Sequence, residues 1–303
     1  MSNIISVKEL TKIFDGKTAV DGLSFDVPSG SLFAFLGQNG AGKSTTINIL
    51  LGLLKCDGGS FDYIGLSDGE ERKRQIGVVF QNNVFDDLMT VEENLTLYGK
   101  LYLAGSAVKS RCREVIEQFG LGDFAKQRFG SLSGGQKRKA EIARALFMSP
   151  KLLFLDEPTT GLDPRTRAEV WSIIHGIRRK SGMTVFLTTH YMEETADADK
   201  VVIIHKGKLV AENSSAELKA QYSYDRLRIK PIDAALLESR LTELGAAFER
   251  TADTYSVQMS DTEHSIELLY ALKSNIRSYE AVKGSMDDVF LNAVGEQLQG
   301  VNI

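Results

Sequence analysis

The run Gly37-Gln-Asn-Gly-Ala-Gly-Lys-Ser-Thr45 constrains this chain more than any other stretch. It follows the apolar stretch Leu32 to Leu36 and opens a helical stretch from Lys43 to Leu54. Glycines at this spacing, between a strand and a helix, let successive backbone N–H groups turn inward, and the helix N-terminus adds partial positive charge. The loop is therefore built to hold phosphate, in the Walker A pattern. Lys43 is placed to reach the β- and γ-phosphates, and the Ser44 hydroxyl to ligate Mg²⁺. Gly37, Asn39, Gly40, Ala41, Gly42, Lys43, Ser44 and Thr45 are the candidate contacts to a nucleotide. Kinases, GTPases and transport ATPases all share such a loop.

The rest of the chain agrees with that start. From residue 4 to about residue 212, short apolar strands alternate with helical stretches, which predicts an α/β fold with a largely parallel sheet. Ile4 to Leu10 and Gly22 to Val27 read instead as strands joined by a turn at Asp15-Gly16-Lys17, so an antiparallel patch is expected at the N-terminus. Between about residues 82 and 149 the pattern turns helical, clearest over Val91 to Leu103 and Ala107 to Phe119, and predicts a helical subdomain inserted in the core.

Beyond residue 222 a small α+β domain is expected, giving domains at 1–220 and 222–303. Leu227 and Ile229 alternate with basic residues, and Leu236, Leu237, Leu241 and Leu244 fall at helical spacing closed by Gly245. Tyr255, Val257 and Met259 alternate as a strand. Ile266, Leu269, Leu272 and Ile276 repeat as a helix. Ser285-Met-Asp-Asp288 is a capping-box pattern opening a last helix, with Met286, Val289, Phe290 and Ala293 on one face.

Charge and composition remove several function classes. The 303 residues carry 36 basic and 40 acidic groups, a net charge of −4 and a pI near 5.7, so no nucleic-acid partner is expected. The acidity lies in residues 221–303, where 13 acidic groups face 8 basic ones. No stretch approaches the roughly 18 consecutive apolar residues of a spanning helix, and the N-terminus lacks a signal-peptide pattern. Cys56 and Cys112 have no metal-type spacing and read as free thiols of a reducing compartment.

A second chemical motif follows the P-loop. Leu152 to Leu155 is a buried-type strand ending in Asp156-Glu157-Pro158. Asp156 sits where an aspartate would hold Mg²⁺ directly or through water, and Glu157 is placed to polarise a water for attack on the γ-phosphate.

Leu132-Ser-Gly-Gly-Gln136, ahead of a helix expected over Lys137 to Phe147, makes the reading specific. With the P-loop before it and Glu157 after it, it resembles the signature of ATP-binding-cassette (ABC) ATPases over residues 1 to about 220. A serine and two glycines at a helix N-terminus form a second anion site. One chain has no use for two such sites on one γ-phosphate unless they come from different subunits.

The resemblance implies a P-loop NTPase cassette with a RecA-like core, and a head-to-tail dimer. In it ATP is sandwiched between one P-loop and the other copy's Ser133, Gly134, Gly135 and Gln136. It implies that Gln81, after the strand Ile76 to Phe80, contacts Mg²⁺ and water and senses a membrane partner. Asp163, in Gly161-Leu-Asp163, would cross the dimer interface, and His190, ending Thr184 to His190, would contact the γ-phosphate. Phe14 lies where an aromatic would stack on adenine; tyrosine is commoner there.

The tail Gly284 to Leu291 and the run Lys139 to Leu146 resemble the daunorubicin-resistance-type exporter ATPases of bacteria. That implies an ATP- and Mg²⁺-dependent ATPase subunit that homodimerises, drives a separate integral membrane permease, and sits at the cytoplasmic face of the cell membrane. Gln81 to Val91, with Phe85, Leu88 and Met89, would supply an apolar groove for the permease. A soluble ABC protein acting as a regulator or resistance factor is the alternative, and a P-loop kinase or GTPase, which has no use for Ser133, a third.

Overall fold

The structure is a computed structural model and describes residues 2–300, with side chains as far as residue 295. Residues 301–303 of the expected C-terminal domain lie outside the described residues. The chain divides into two compact units, Met1–Glu212 and Asn213–Ile303. The division falls ahead of residue 220, because the helix α7 (Ser215–Tyr222) packs on the chain's last helix, α10 (Met286–Gly300).

The first unit is built on a six-stranded sheet, ordered β5-β6-β7-β3-β8-β9. These strands are β3 (Leu32–Leu36), β5 (Ile76–Val79), β6 (Leu152–Asp156), β7 (Thr184–Thr189), β8 (Lys200–His205) and β9 (Lys208–Asn213). Neighbours from β5 through β8 run parallel. Every residue of β3, β6 and β7 is buried, which is why these strands read as continuous apolar runs: both faces of a parallel sheet are covered.

A three-stranded antiparallel sheet of β1 (Asn3–Phe14), β2 (Lys17–Pro28) and β4 (Gly58–Tyr63) packs on it. The joint is aromatic. Phe25 of β2 lies 5.2 Å from Phe35, and Phe33 lies 5.0 Å from Phe186, centroid to centroid. Stacked and tilted rings at such spacings add about 0.5–1.5 kcal/mol per pair beyond area burial.

Three helices stand between β5 and β6: α3 (Val91–Lys100), α4 (Ser106–Gln118) and α5 (Gly134–Ala145). They form the helical insert. The remaining helices of this unit are α1 (Lys43–Leu50), α2 (Glu70–Gln75) and α6 (Pro164–Ser181). α5 starts at Gly134, earlier than the expected Lys137, because Ser133 caps it. Phe85, expected on an open groove, is instead 8% exposed and edge-on to Phe129 at 5.2 Å. The backbone N–H of Phe85 donates to the buried Glu141 carboxylate, which makes this residue part of the insert's core. Leu88 and Val84 are the exposed large apolar residues of that segment, at 77% and 54%. A cavity of about 510 Å³ does open in this unit, lined in part by Leu51, Phe61, Tyr63, Phe80, Tyr98 and Tyr102.

The second unit has a four-stranded antiparallel sheet ordered β11-β12-β10-β13: β10 (Asp225–Pro231), β11 (Phe248–Thr251), β12 (Thr254–Met259) and β13 (Ile276–Val282). The helices α8 (Ala234–Glu243) and α9 (Thr262–Leu272) complete a βαββαβ order. Leu227, Ile229, Leu237, Leu241, Tyr255, Val257, Met259, Leu268 and Leu272 form its core. The apolar stripe of α9 differs from the one expected. Leu268 and Leu272 are buried while Ile266 is 62% exposed, and Ile276 begins β13. Two overlapping apolar stripes share this helix, and packing on the sheet selects one. The last helix starts as its sequence predicts: Ser285 Oγ accepts from the Asp288 N–H at 3.2 Å, and Asp288 Oδ2 from the Ser285 N–H at 3.0 Å. Met286, Val289, Phe290 and Ala293 are all buried.

Candidate active site

The parallel strands of the first unit deliver their carboxyl ends to one edge, where crevices of α/β sheets bind ligands. β3 ends at the P-loop, β5 just before Gln81, β6 at Asp156 and β7 just before His190. Register aligns them: Leu36 pairs with Thr189, and Asp156 with Thr188. The loop can turn there only with glycine. Gly42 has φ +108°, and a Cβ on it would sit 2.6 Å from the Ala19 carbonyl; one on Gly37 would sit 2.8 Å from that of Ile204.

A cavity of about 290 Å³ opens at this edge, lined by Asn39, Gly40, Gly42, Lys43, Ser44, Thr45, Gln81 and Glu157, with Ala19 at its side. Lys43 is 4% exposed. Its Nζ donates to the Gly37 carbonyl at 2.8 Å and the Gln38 carbonyl at 3.1 Å, and lies 3.1 Å from Glu157 Oε1. Gly37 and Ala41 complete the loop, with Ala41 buried.

Glu157 is held on several sides. Its carboxylate accepts from Thr160 Oγ1 at 3.3 Å, and His190 Nδ1 lies 3.1 Å from Oε2. That nitrogen is buried without an aligned hydrogen-bond partner, so the contact is one of proximity. Burial alone pushes the Glu157 carboxyl up, but the Lys43 hydrogen bond and charge, with His190, outweigh it and hold the pKa below the ordinary glutamate value. The group is thus an ionised carboxylate facing the cavity, able to orient a water and accept its proton.

Beneath it, Ser44 Oγ lies 3.3 Å from Asp156 Oδ1, which also accepts from Thr188 Oγ1 at 2.5 Å. Ser44, Asp156 and the Gln81 side chain carry oxygen donors of the kind Mg²⁺ takes, and Ser44 and Gln81 line the cavity. The residues present fit a Mg²⁺-nucleotide.

The remaining candidates do not line this cavity. Ser133 and Gln136 are engaged with each other: the Gln136 N–H donates to Ser133 Oγ at 3.3 Å, and the Ser133 N–H to Gln136 Oε1 at 3.0 Å. Gly135 lies so close to α6 that a Cβ would meet Thr166 Cγ2 at 2.5 Å, and Gly134 is next to Leu162. Asp163 caps α6, accepting from the Thr166 N–H at 3.1 Å and from its hydroxyl at 2.6 Å. Phe14, at the end of β1, is 43% exposed, with Lys12 Nζ 5.3 Å from its ring centre.

Sequence reading missed three supports of the site. Thr188 fixes Asp156. The buried Glu194 accepts from Thr159, from Thr189 at 2.5 Å and from Trp171 Nε1 at 3.1 Å, tying the segments after β6 and β7 to α6. Arg138 donates to two backbone carbonyls at the cavity's back. None has a motif signal of its own, since each role depends on residues distant in sequence.

Comparison with known proteins places this geometry. Residues 20–160 match the ABC transporter family, and residues 214–294 match the C-terminal domain of DrrA1-3-like ATP-binding proteins. The chain is 38% identical to the daunorubicin/doxorubicin resistance ATP-binding protein DrrA of Streptomyces peucetius, covering 96% of this chain and 92% of that one. The chain belongs to the ABC transporter ATPase family. This ABC ATPase is also 33% identical to the Nod factor export ATP-binding protein I of Burkholderia lata, over 97% and 98% of the two chains.

Among solved structures the ABC ATPase resembles cbiO1 of Clostridium perfringens, part of the ABC transporter complex cbiONQ, with a TM-score of 0.66 and 27% identity over 73% of this chain and 92% of that one. It also resembles a dimeric ATP-binding cassette in a post-hydrolysis state bound to ADP and Pi, with a TM-score of 0.62 and 27% identity over 69% and 98% of the chains. The fold is that of the ABC cassette, and ATP is the nucleotide of the family.

Proposed function

We propose that this ABC ATPase is the ATP-hydrolysing subunit of an exporter, pairing head to tail with a second copy and driving a separate integral membrane permease at the cytoplasmic face of the cell membrane. The observation that carries this reading is the separation of two anion-type sites. The Ser133 helix start is not among the residues lining the Lys43 cavity. Two copies arranged head to tail would complete each cavity with the partner's signature loop. The export direction is supported by the relatives' printed names, Nod factor export and daunorubicin resistance among them. Among the described residues no helix is long and apolar enough to cross a membrane, so the pore would belong to the permease.

In this reading the P-loop amides and Lys43 bind the phosphates, Phe14 stacks on the adenine, and Glu157 takes a proton from the attacking water while His190 contacts the γ-phosphate. Ser44, Asp156 and Gln81 would hold Mg²⁺, which when bound neutralises charge on the phosphate oxygens. The test is a tagged Glu157→Gln chain expressed in its native membrane and purified with ATP. ATP binding retained, turnover lost by about a hundred-fold or more, and a dimer with a stoichiometric membrane protein are expected. Wild-type turnover removes Glu157 from its role, and the lack of a membrane partner removes the permease.

A further inference from the structure

Arg138 lies on α5 shortly after the capping Ser133 and is 6% exposed. A buried guanidinium is costly unless its donors are used. Its donors go to backbone oxygens: Nη1 to the carbonyl of Phe80, the residue before Gln81, at 2.8 Å, and Nη2 to the carbonyl of Glu157 at 3.1 Å. Burial pulls its pKa down, and the charges of Glu141, Asp156 and Glu194 act against this.

The Glu157 backbone is in an unusual conformation. Its φ is +47°, a left-handed conformation that is strained for a residue other than glycine. Its N–H is fixed by the Thr188 carbonyl at 3.1 Å and the Thr188 hydroxyl at 3.2 Å. On the other side the carbonyl accepts from Arg138 at the shorter distance and from the Thr160 N–H at 3.4 Å. The peptide units that set the direction of the Glu157 side chain are therefore clamped between β7 and the helix headed by Ser133.

We propose that Arg138 is a positioning residue for ATP hydrolysis: it ties the helix headed by Ser133, and the segment leading to Gln81, to the Glu157 backbone, so that the aim of the carboxylate depends on where that helix sits. This rests on the reading of Glu157 as the general base. Arg144 is a contrast on the same helix. It is also buried, but it donates to Glu141 and to the Val78 carbonyl, and hydrogen-bonds to neither Glu157 nor the residue before Gln81.

The test uses the full chain carrying Arg138→Gln or Arg138→Lys, each alone and combined with Glu157→Gln, with kcat and KM for ATP measured at matched folded fraction. A kcat about ten-fold lower or more is expected for Arg138→Gln, with a smaller loss for Arg138→Lys, which retains a charged donor. KM is expected within about two-fold of wild type, with no further loss in the Glu157→Gln background. A kcat within about two-fold of wild type overturns the proposal, as does a KM effect of the same size as the kcat effect, or a further multiplicative loss on Glu157→Gln. If Arg138→Gln does not fold, Arg138→Lys decides on the same criteria, with its kcat loss as the expected result. Wild-type turnover in Glu157→Gln alone brings down both the general base and this proposal; turnover lost there but kept in the Arg138 variants brings down only the proposal.

Discussion

At the scale of single residues, the site is organised around one ionised carboxylate. Glu157 is buried, yet Lys43 and His190 overcome the cost of burial and hold its pKa below the ordinary value of about 4.3. A carboxyl whose pKa is lowered on folding contributes stability above its unfolded pKa and loses it as pH falls through the folded value. With His190 replaced by Gln, so that no imidazole titrates against the carboxylate, the stability difference between the Glu157 and Glu157→Gln chains should therefore stay flat from about pH 8 to about pH 5 and change only under more acid conditions. Urea midpoints of both proteins across that range measure it. A difference that already moves between about pH 8 and pH 6 would indicate a raised pKa and a neutral acid at the cavity wall. The residues of this pair were legible in sequence because the loop and the strand end are local patterns. The 3.1 Å contact between Lys43 and Glu157 was not, since Lys43 opens the helix after β3 and Glu157 follows β6, and only the sheet order β6-β7-β3 brings them together.

At the scale of elements, the contact between α5 and the start of α6 shows why the signature needs its second glycine. A Cβ on Gly135 would press on Thr166 Cγ2, and moving Thr166 would disturb its bonds to Asp163, the cap of α6. Gly135→Ala should cost about 1–3 kcal/mol of stability, the usual range for overpacking. Thr166→Ser in that background removes the offending methyl while keeping the hydroxyl, so most of the loss should return in a denaturant titration. An unchanged midpoint in the single variant would mean that the two helices yield freely. The same scale explains where sequence periodicity failed. β4, β11 and β13 have no clear apolar alternation, and their places are set by backbone pairing with β1, β12 and β10. On α9 the apolar residues allow two stripes, and the helix buries the one that meets β12.

At the scale of the whole molecule, the proposed head-to-tail pair makes a prediction that one chain acting alone cannot meet. A Ser133→Arg chain keeps its P-loop and Glu157, and a Glu157→Gln chain keeps its signature loop. Mixed, they would form heterodimers in which one composite site has both defects and the other has none. ATPase activity should therefore reappear on mixing two inactive proteins, at up to about a quarter of wild type, from random pairing with one working site in each heterodimer if the sites turn over independently. Activity that stays absent across mixing ratios would place hydrolysis within a single chain.

The sequence by itself determined the chemistry and the class of fold. A glycine-rich loop between strand and helix, a strand ending in two carboxylates, and a capped signature helix are short-range patterns whose meaning lies in local backbone geometry. Tertiary structure decided what holds those groups in place. Thr188 under Asp156, Glu194 joining three segments, and Arg138 clamping the strained Glu157 backbone are single polar residues without a local signature. Their roles come from desolvation: a buried donor or acceptor must find a partner, and the partner it finds depends on which strands and helices the fold has brought to its side.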